Sequence, residues 1–243
     1  MNYKSQLIPT ALGLYLWVLL MAYFLLLRML EVYLFPFIYN YVIMLSIIFF
    51  AGWLDDSRGD RSIKGFKGHL LKWKKDKNIS TGLLKAGTTG LLSLWAVIET
   101  GNPWVLSVVQ FLLLALMTNA INLLDLRPGR ALKGFLGVST VTLLLAFSIG
   151  TLYISVKLLF PVIIGAILLY SRDVKEETML GDAGANFLGF AAGFSIVSTT
   201  PIWFQVVILI LLVTMHWIGE HHSLTKMFER NRILNWFDQL GRQ

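Results

Sequence analysis

Residues 34–54 read LFPFIYNYVIMLSIIFFAGWL and contain no charged side chain. A helix needs about 20 mostly apolar residues to cross a bilayer, so this stretch predicts a transmembrane helix. We predict seven further spans, at residues 7–27, 82–99, 104–124, 134–152, 156–170, 184–200 and 203–219. The alternation of apolar and polar residues typical of barrel strands is absent, so the spans are expected to be helical. The sequence therefore predicts an all-α, polytopic transmembrane bundle of about eight spans.

The composition agrees with a membrane protein. Of the 243 residues, 56% are hydrophobic and 14% are charged, whereas about a quarter of a soluble domain is charged. The net charge of +7 lies mainly in the loops between apolar spans, so it indicates contact with anionic lipid or phosphate rather than nucleic acid. The chain has no cysteine, which excludes disulfides and thiolate metal sites.

The basic residues also predict the orientation. They concentrate in residues 55–80, 125–133 and 171–182 and in the tail after residue 220. With eight spans, these segments and both termini fall on one side of the membrane, which the positive-inside rule makes cytoplasmic. Lys85 lies near the end of a span and is expected to snorkel to the interface.

The tail differs in pattern from the rest of the chain. Residues 223–240 carry apolar side chains at helical spacing with charged residues between them. This pattern predicts an amphipathic helix that lies in the membrane interface. We therefore divide the chain into a transmembrane catalytic domain, 1–222, and a cytoplasmic interfacial tail, 223–243.

Two carboxylates are the first candidate site residues. Asp55 and Asp56 directly follow the span at 34–54. Adjacent carboxylates at a membrane boundary repel each other and are costly to desolvate, and bound Mg²⁺ would relieve both effects. The alternative is a pair of solvated acids that balance the nearby lysines, among them Lys64 and Lys67.

The second candidate group lies at the end of the span 104–124. Asn119, Asn122 and Asp125 recur every three residues, so they share one helix face that must meet protein or a polar cavity. The alternative is that the asparagines join helices. A basic turn follows and suits an anionic ligand or lipid headgroups; the basic residues of this region are Arg127, Arg130 and Lys133.

Two further segments contain candidate site residues. Asp182 stands between Gly181 and Ala183-Gly184 at a predicted helix start, where backbone N–H groups can approach a phosphate. The alternative is that Asp182 simply caps the helix. His221 and His222 end the last span, where they either hydrogen-bond phosphate oxygens or have no ligand.

In this order, the clusters resemble motifs of the polyprenyl-phosphate N-acetylhexosamine-1-phosphate transferase superfamily, which includes the phospho-MurNAc-pentapeptide translocase. Residues 8–13 are similar to its Pro-Thr-x-Gly-Gly motif, 52–56 to its aspartate pair and 64–66 to its Lys-Gly-Leu segment. Residues 119–125 match Asn-x-x-Asn-x-x-Asp, and 181–184 are similar to Gly-Asp-x-Gly-Ser. The histidines at 221–222 stand where the superfamily has its histidine-rich loop. The resemblance covers nearly the whole chain.

This sequence also departs from the pattern. The third motif continues Leu126-Arg127-Pro128-Gly129 instead of Gly-x-Asp-Gly, and Ala185 replaces the serine of the fourth motif. Two histidines stand where three are common, and relatives have about ten or eleven spans. The resemblance thus implies a compact, divergent member and leaves the sugar and the nucleobase open.

The resemblance implies a bacterial inner-membrane enzyme with a cytoplasmic active site. It would transfer a phospho-sugar from a nucleotide diphospho-sugar to undecaprenyl phosphate, with Mg²⁺ or alternatively Mn²⁺, and could form a homodimer. Asp182 and Asp56 would bind the metal, and Asp55 would deprotonate or position the lipid phosphate. Asn119, Asn122 and Asp125 would hold the donor. The residues expected to contact phosphates or other parts of the substrates are Lys64, Lys67, Arg127, Arg130, Lys133, His221 and His222.

Two other functions stay open. An aspartate-rich, Mg²⁺-dependent prenyltransferase would also place acids at helix ends, although its Asn-Asp-x-x-x-Asp motifs are absent. A transporter or a non-catalytic membrane subunit is the other alternative.

Overall fold

The computed structural model describes residues 12–58 and 81–241. Within these ranges the chain forms ten helices and no strand. The eight long helices are α1 (Leu12–Met29), α2 (Pro36–Arg58), α3 (Thr81–Thr100), α4 (Trp104–Leu124), α5 (Arg130–Ile149), α6 (Leu152–Val174), α7 (Gly181–Thr199) and α8 (Ile202–His221). Two short helices follow, α9 (Leu224–Arg230) and α10 (Arg232–Gln239).

The architecture confirms an all-α, multi-pass membrane bundle. Seven of the described helices, α1 to α6 and α8, are long and apolar enough to cross a bilayer. Each predicted span matches one long helix, although α6 is a 23-residue helix with Pro161 inside it rather than a short span. The predicted span at 7–27 begins outside the described residues.

The remaining long helix, α7, is the centre of the bundle. Every residue from Ala183 to Val197 is buried. Five helices surround it, namely α1, α2, α4, α5 and α6. Because α7 meets protein instead of lipid, it can carry small and polar residues that would be costly on a lipid-facing helix.

Glycines let the neighbouring helices approach α7 closely. A Cβ added at Gly52 of α2 would lie 2.6 Å from the Cα of Ala183. A Cβ added at Gly189 of α7 would lie 2.6 Å from the Cα of Thr118 in α4. Such backbone contacts are typical of membrane helices that pack through small residues. They hold the end of α2 against the beginning of α7, and α4 against the middle of α7.

The tail forms two helices, so the prediction of one continuous amphipathic helix over 223–240 is wrong. The chain leaves helical geometry at Asn231 (φ −94°, ψ 119°), whose side-chain Oδ1 accepts a hydrogen bond from Leu234 N–H at 3.2 Å. Asparagine favours such caps because its side chain competes with the helical backbone for hydrogen bonds. Placement of the tail in the membrane interface stays a prediction.

Candidate active site at the start of the central helix

Carboxylates from three helices meet where α7 begins. Asp55 and Asp56 lie in the last turn of α2, Asp125 directly follows α4, and Asp182 lies in the first turn of α7. All four side chains are partly buried. The sequence predicted each as a site residue, and the fold brings them together from positions up to 127 residues apart in the chain.

Asp56 caps the central helix. Its Oδ1 accepts a hydrogen bond from Asp182 N–H at 2.9 Å, and its Oδ2 accepts one from Ala183 N–H at 3.0 Å. A carboxylate here satisfies free N–H groups and matches the positive end of the helix dipole. The alternative that Asp182 itself caps this helix is therefore wrong, because the capping side chain comes from α2.

Gly181 makes room for this cap. Its φ of +65° is a conformation that side-chain-bearing residues rarely adopt, and a Cβ there would lie 2.6 Å from Asp56 Oδ2. The backbone conformation and the close approach of Asp56 therefore explain the glycine at this position without any ligand.

Lys85 joins the other two carboxylates. Its Nζ lies 3.0 Å from Asp55 Oδ2 and 3.0 Å from Asp182 Oδ1. The prediction that Lys85 snorkels to the interface is wrong: its side chain is only 18% exposed and points into the cluster. The shared ammonium offsets the repulsion between two acids that are largely removed from water. A charged residue at the edge of a predicted span was the sequence signal for this role.

Asp125 completes the cluster. It accepts a hydrogen bond from the backbone N–H of Gly181, so a second carboxylate meets the start of α7. Burial raises the pKa of Asp125 well above its ordinary value, and the negative charges of Asp173, Asp182 and Asp56 raise it further. The cluster therefore consists of four acidic side chains and one lysine.

Asn119 contacts a histidine of α8. Its Nδ2 lies 2.9 Å from His216 Nε2 in α8, and His216 Nδ1 lies 2.8 Å from the carbonyl oxygen of Leu212. These contacts fit a neutral imidazole whose Nδ1–H donates to Leu212 while Nε2 accepts from Asn119. The contact joins α4 to α8, in agreement with the alternative prediction that the asparagines join helices. His216 was not among the predicted site residues, because a lone histidine in an apolar span carries little signal.

The basic residues after α4 bind the tail. Arg130 is 2% exposed; its Nε and Nη2 donate to the two carboxylate oxygens of Asp238 at 2.7 and 2.9 Å. Lys133 Nζ donates to the carbonyl oxygens of Phe237, Asp238 and Leu240. Arg127 pairs with Glu229 at 3.0 Å. These cations fix α9 and α10 to the bundle, so a substrate-binding role for them stays a prediction.

The other predicted phosphate contacts are less defined. His221 and His222 are exposed, and His221 Nδ1 lies 2.8 Å from the carbonyl oxygen of Trp217. No hydrogen bond or ion pair of the described residues joins either histidine to the acid cluster. Asn122 is partly buried on α4. Lys64, Lys67 and residues 8–11 of the first motif lie outside the described residues.

The acidic side chains of the cluster can be compared with the ligands that Mg²⁺ requires. In the described ranges, no three His, Cys, Asp or Glu side chains are grouped so as to hold a metal alone. Mg²⁺ is commonly held by one or two carboxylates together with substrate phosphates, so a smaller protein set suffices. Asp55 and Asp182 already share one cation, the ammonium of Lys85, and this pair fits the ion. Asp56 fits less well, because a backbone N–H engages each of its oxygens.

No protein-family model, curated protein or solved structure matches the chain. The sequence motifs and the geometry of the cluster are therefore the observations that bear on function.

Proposed function

We propose that this protein is a Mg²⁺-dependent enzyme of a bacterial inner membrane that transfers a phospho-sugar to a polyprenyl phosphate. The donor would be a nucleotide diphospho-sugar, and the active site would face the cytoplasm. One observation carries the proposal: Asp55, Asp56, Asp125 and Asp182 converge with Lys85 at the start of a buried helix. The resemblance to the phospho-sugar transferase motifs supports the same assignment.

The reaction needs little acid–base chemistry. A phosphate oxygen of the lipid forms a bond to the β-phosphorus of the donor, while the bond from that phosphorus to the bridging oxygen breaks. The nucleoside monophosphate leaves with the bridging oxygen and its electron pair. A phosphate monoester has a second pKa of about 6, so the attacking group is already largely ionised at neutral pH.

In this proposal the acids have different roles. Asp182 and Asp55 would hold Mg²⁺ together with the donor diphosphate, and the ion would offset charge on the phosphates in the transition state. Lys85, released from part of its ion pairing, would contact a phosphate oxygen. Asp56 would position Asp182 by fixing the first turn of α7. Asp125 and Asn122 would bind the donor side.

A non-catalytic membrane subunit is the second candidate. It is favoured by the ion pairs themselves, because Asp55, Asp182 and Lys85 satisfy one another without a ligand. In that case neutralising Asp182 changes stability alone.

Purified protein in detergent tests the proposal with undecaprenyl phosphate, Mg²⁺ and a panel of UDP-, CDP- and GDP-sugars. We expect release of a nucleoside monophosphate that requires the lipid and the metal and that Asp182→Asn abolishes. The matched control is Glu99→Gln, a carboxylate at the opposite end of α3 from Lys85, which should retain activity. Release of pyrophosphate instead would indicate a prenyltransferase. If folded protein releases no nucleoside monophosphate with any sugar of the panel, the non-catalytic subunit is favoured.

A further inference from the structure

A buried amide without a partner lies one helical turn beyond Asp182. Asn186 of α7 is 3% exposed, and its Nδ2 has no hydrogen-bond partner within the described part of the chain. An unsatisfied buried donor is destabilising, because it gives up its hydrogen bonds to water without replacement. Such a group in a central helix calls for an explanation.

The position of Asn186 connects it to the acid cluster. Residues four apart on a helix share a face, so Asn186 and Asp182 point to the same side of α7. Gly189, three residues further along this face, contacts Thr118 of α4. Asn186 therefore lies on the α4 side of α7, between the Lys85–Asp182 ion pair and the close helix contact at Gly189.

The residue type defines what could bind there. An amide Nδ2 offers two N–H donors and needs an oxygen acceptor. The amide is neutral, so it can receive a phosphate oxygen without adding to the charge of the four nearby carboxylates. Asn186 lies about 6 Å further from the start of α7 than Asp182, at a rise of 1.5 Å per residue. It is thus the deeper polar group of the two.

We infer that Asn186 binds the lipid acceptor by donating a hydrogen bond from its amide to a phosphate oxygen of a polyprenyl phosphate. This inference rests on the proposed function, in which a Mg²⁺ ion offsets the phosphate charge. In the proposed reaction the polyprenyl chain would lie in the bilayer, and its phosphate would meet Asn186, which lies further from the start of α7 than Asp182. A nucleotide sugar enters from water and meets the Asp182 end of the site first. Asn186 would then set the affinity for the acceptor and leave that for the donor unchanged.

The test uses the change Asn186→Leu in the full-length protein. We expect the thermal unfolding temperature of the ligand-free protein to rise, because the unsatisfied donor is removed. We expect the affinity for undecaprenyl phosphate in Mg²⁺-containing detergent to fall roughly 10- to 100-fold, as for loss of one hydrogen bond to a charged group. The affinity for the nucleotide sugar should not change. Asn186→Ser, which keeps a donor, should recover part of the lipid affinity.

Ser139→Ala is the matched control, because Ser139 also has a buried unpartnered polar atom but lies in the middle of α5 (Arg130–Ile149). It should leave both affinities unchanged. If Asn186→Leu lowers the unfolding temperature and leaves lipid binding unchanged, the amide is structural or bound to water, and the inference is overturned. Loss of donor affinity instead of lipid affinity overturns the acceptor assignment. Wild-type protein that binds no polyprenyl phosphate would overturn the proposed function as well.

Discussion

Three residues decide whether the acid cluster is stable. Lys85 lies 3.0 Å from both Asp55 and Asp182, and these acids come from different helices, α2 and α7. Because the three side chains are largely removed from water, loss of the ammonium would leave two carboxylates facing each other. In the proposed function a divalent cation would bind beside the same two carboxylates.

Lys85→Met should lower the free energy of unfolding by roughly 1–3 kcal/mol, the cost of leaving a buried polar group unpaired. Mg²⁺ should then raise the unfolding temperature of the variant more than that of the wild type, because the ion replaces the missing charge. Thermal unfolding in detergent, with and without Mg²⁺, measures both effects. Lys85→Arg is the control that keeps the charge. Equal stability of Lys85→Met and wild type would contradict the role of this ion pair.

Asp125 should make stability depend on pH. Its pKa is raised in the folded protein, so folding favours the protonated form, and stability falls as pH rises through the folded pKa. Asp125→Asn removes this cost and keeps an oxygen that can accept the Gly181 N–H. The variant should therefore be more stable than the wild type at alkaline pH, and the difference should shrink at acidic pH. Unfolding temperatures across a pH series check this, and a difference that grows on acidification would refute it.

At the scale of elements, α7 organises the bundle through small residues. The contact of Gly189 with Thr118 leaves no room for a side chain, whereas a Cβ at Gly137 of α5 would meet no atom within 4 Å. Replacing each of these two glycines with alanine therefore distinguishes the effect of helix–helix packing from the effect of helix propensity.

Gly189→Ala should destabilise the protein by roughly 1–3 kcal/mol, because α4 and α7 must move apart to admit the methyl group. Gly137→Ala should be neutral or stabilising by up to about 1 kcal/mol, since alanine is the better helix former. Chemical or thermal unfolding compares the two variants. If both behave alike, α4 and α7 are not in backbone contact at Gly189.

The tail depends on a different set of contacts. Arg130 and Asp238 form a bidentate pair in which both side chains are almost fully buried, whereas Glu229 in the pair with Arg127 is half exposed. Asp238→Ala should release α10 and expose the tail to protease cleavage while the bundle stays folded. Glu229→Ala is the control and should have a much smaller effect, because exposed ion pairs contribute little. Limited proteolysis followed by mass measurement of the fragments detects the cleavage. A tail that resists the protease equally well in Asp238→Ala and in wild type would show that the Arg130–Asp238 pair does not anchor α10.

The sequence predicted the helices better than their contacts. Apolar stretches define the spans because every backbone group in lipid must be satisfied locally. The central position of α7 was not predicted, because a linear pattern does not show which helix the others surround. The basic residues Arg127, Arg130 and Lys133 indicated an anionic partner, but the pattern could not show that the partner is the carboxylate and carbonyl groups of the tail itself.

At the scale of the whole molecule, the fold gathers four of the chain's 14 acidic residues at one end of the bundle. Asp55, Asp56, Asp125 and Asp182 were all predicted from their motifs, because an acid next to a span is costly and therefore informative. Lys85 and Asn186 were not predicted as site residues. The Lys85 ion pairs and the burial of Asn186 on the Asp182 face of α7 depend on how the helices pack, which a linear pattern does not contain.

The most direct test of the proposed transfer follows the β-phosphorus of the donor. Purified protein is given undecaprenyl phosphate, Mg²⁺ and a nucleotide diphospho-sugar labelled in its β-phosphate, and the label is measured in the lipid fraction. We predict that the label enters the lipid together with release of the nucleoside monophosphate. Wild type and Glu99→Gln should transfer it, and Asp182→Asn should not. Label that stays in water for every donor, or that enters the lipid equally well with Asp182→Asn, would contradict the assignment of this cluster as the active site.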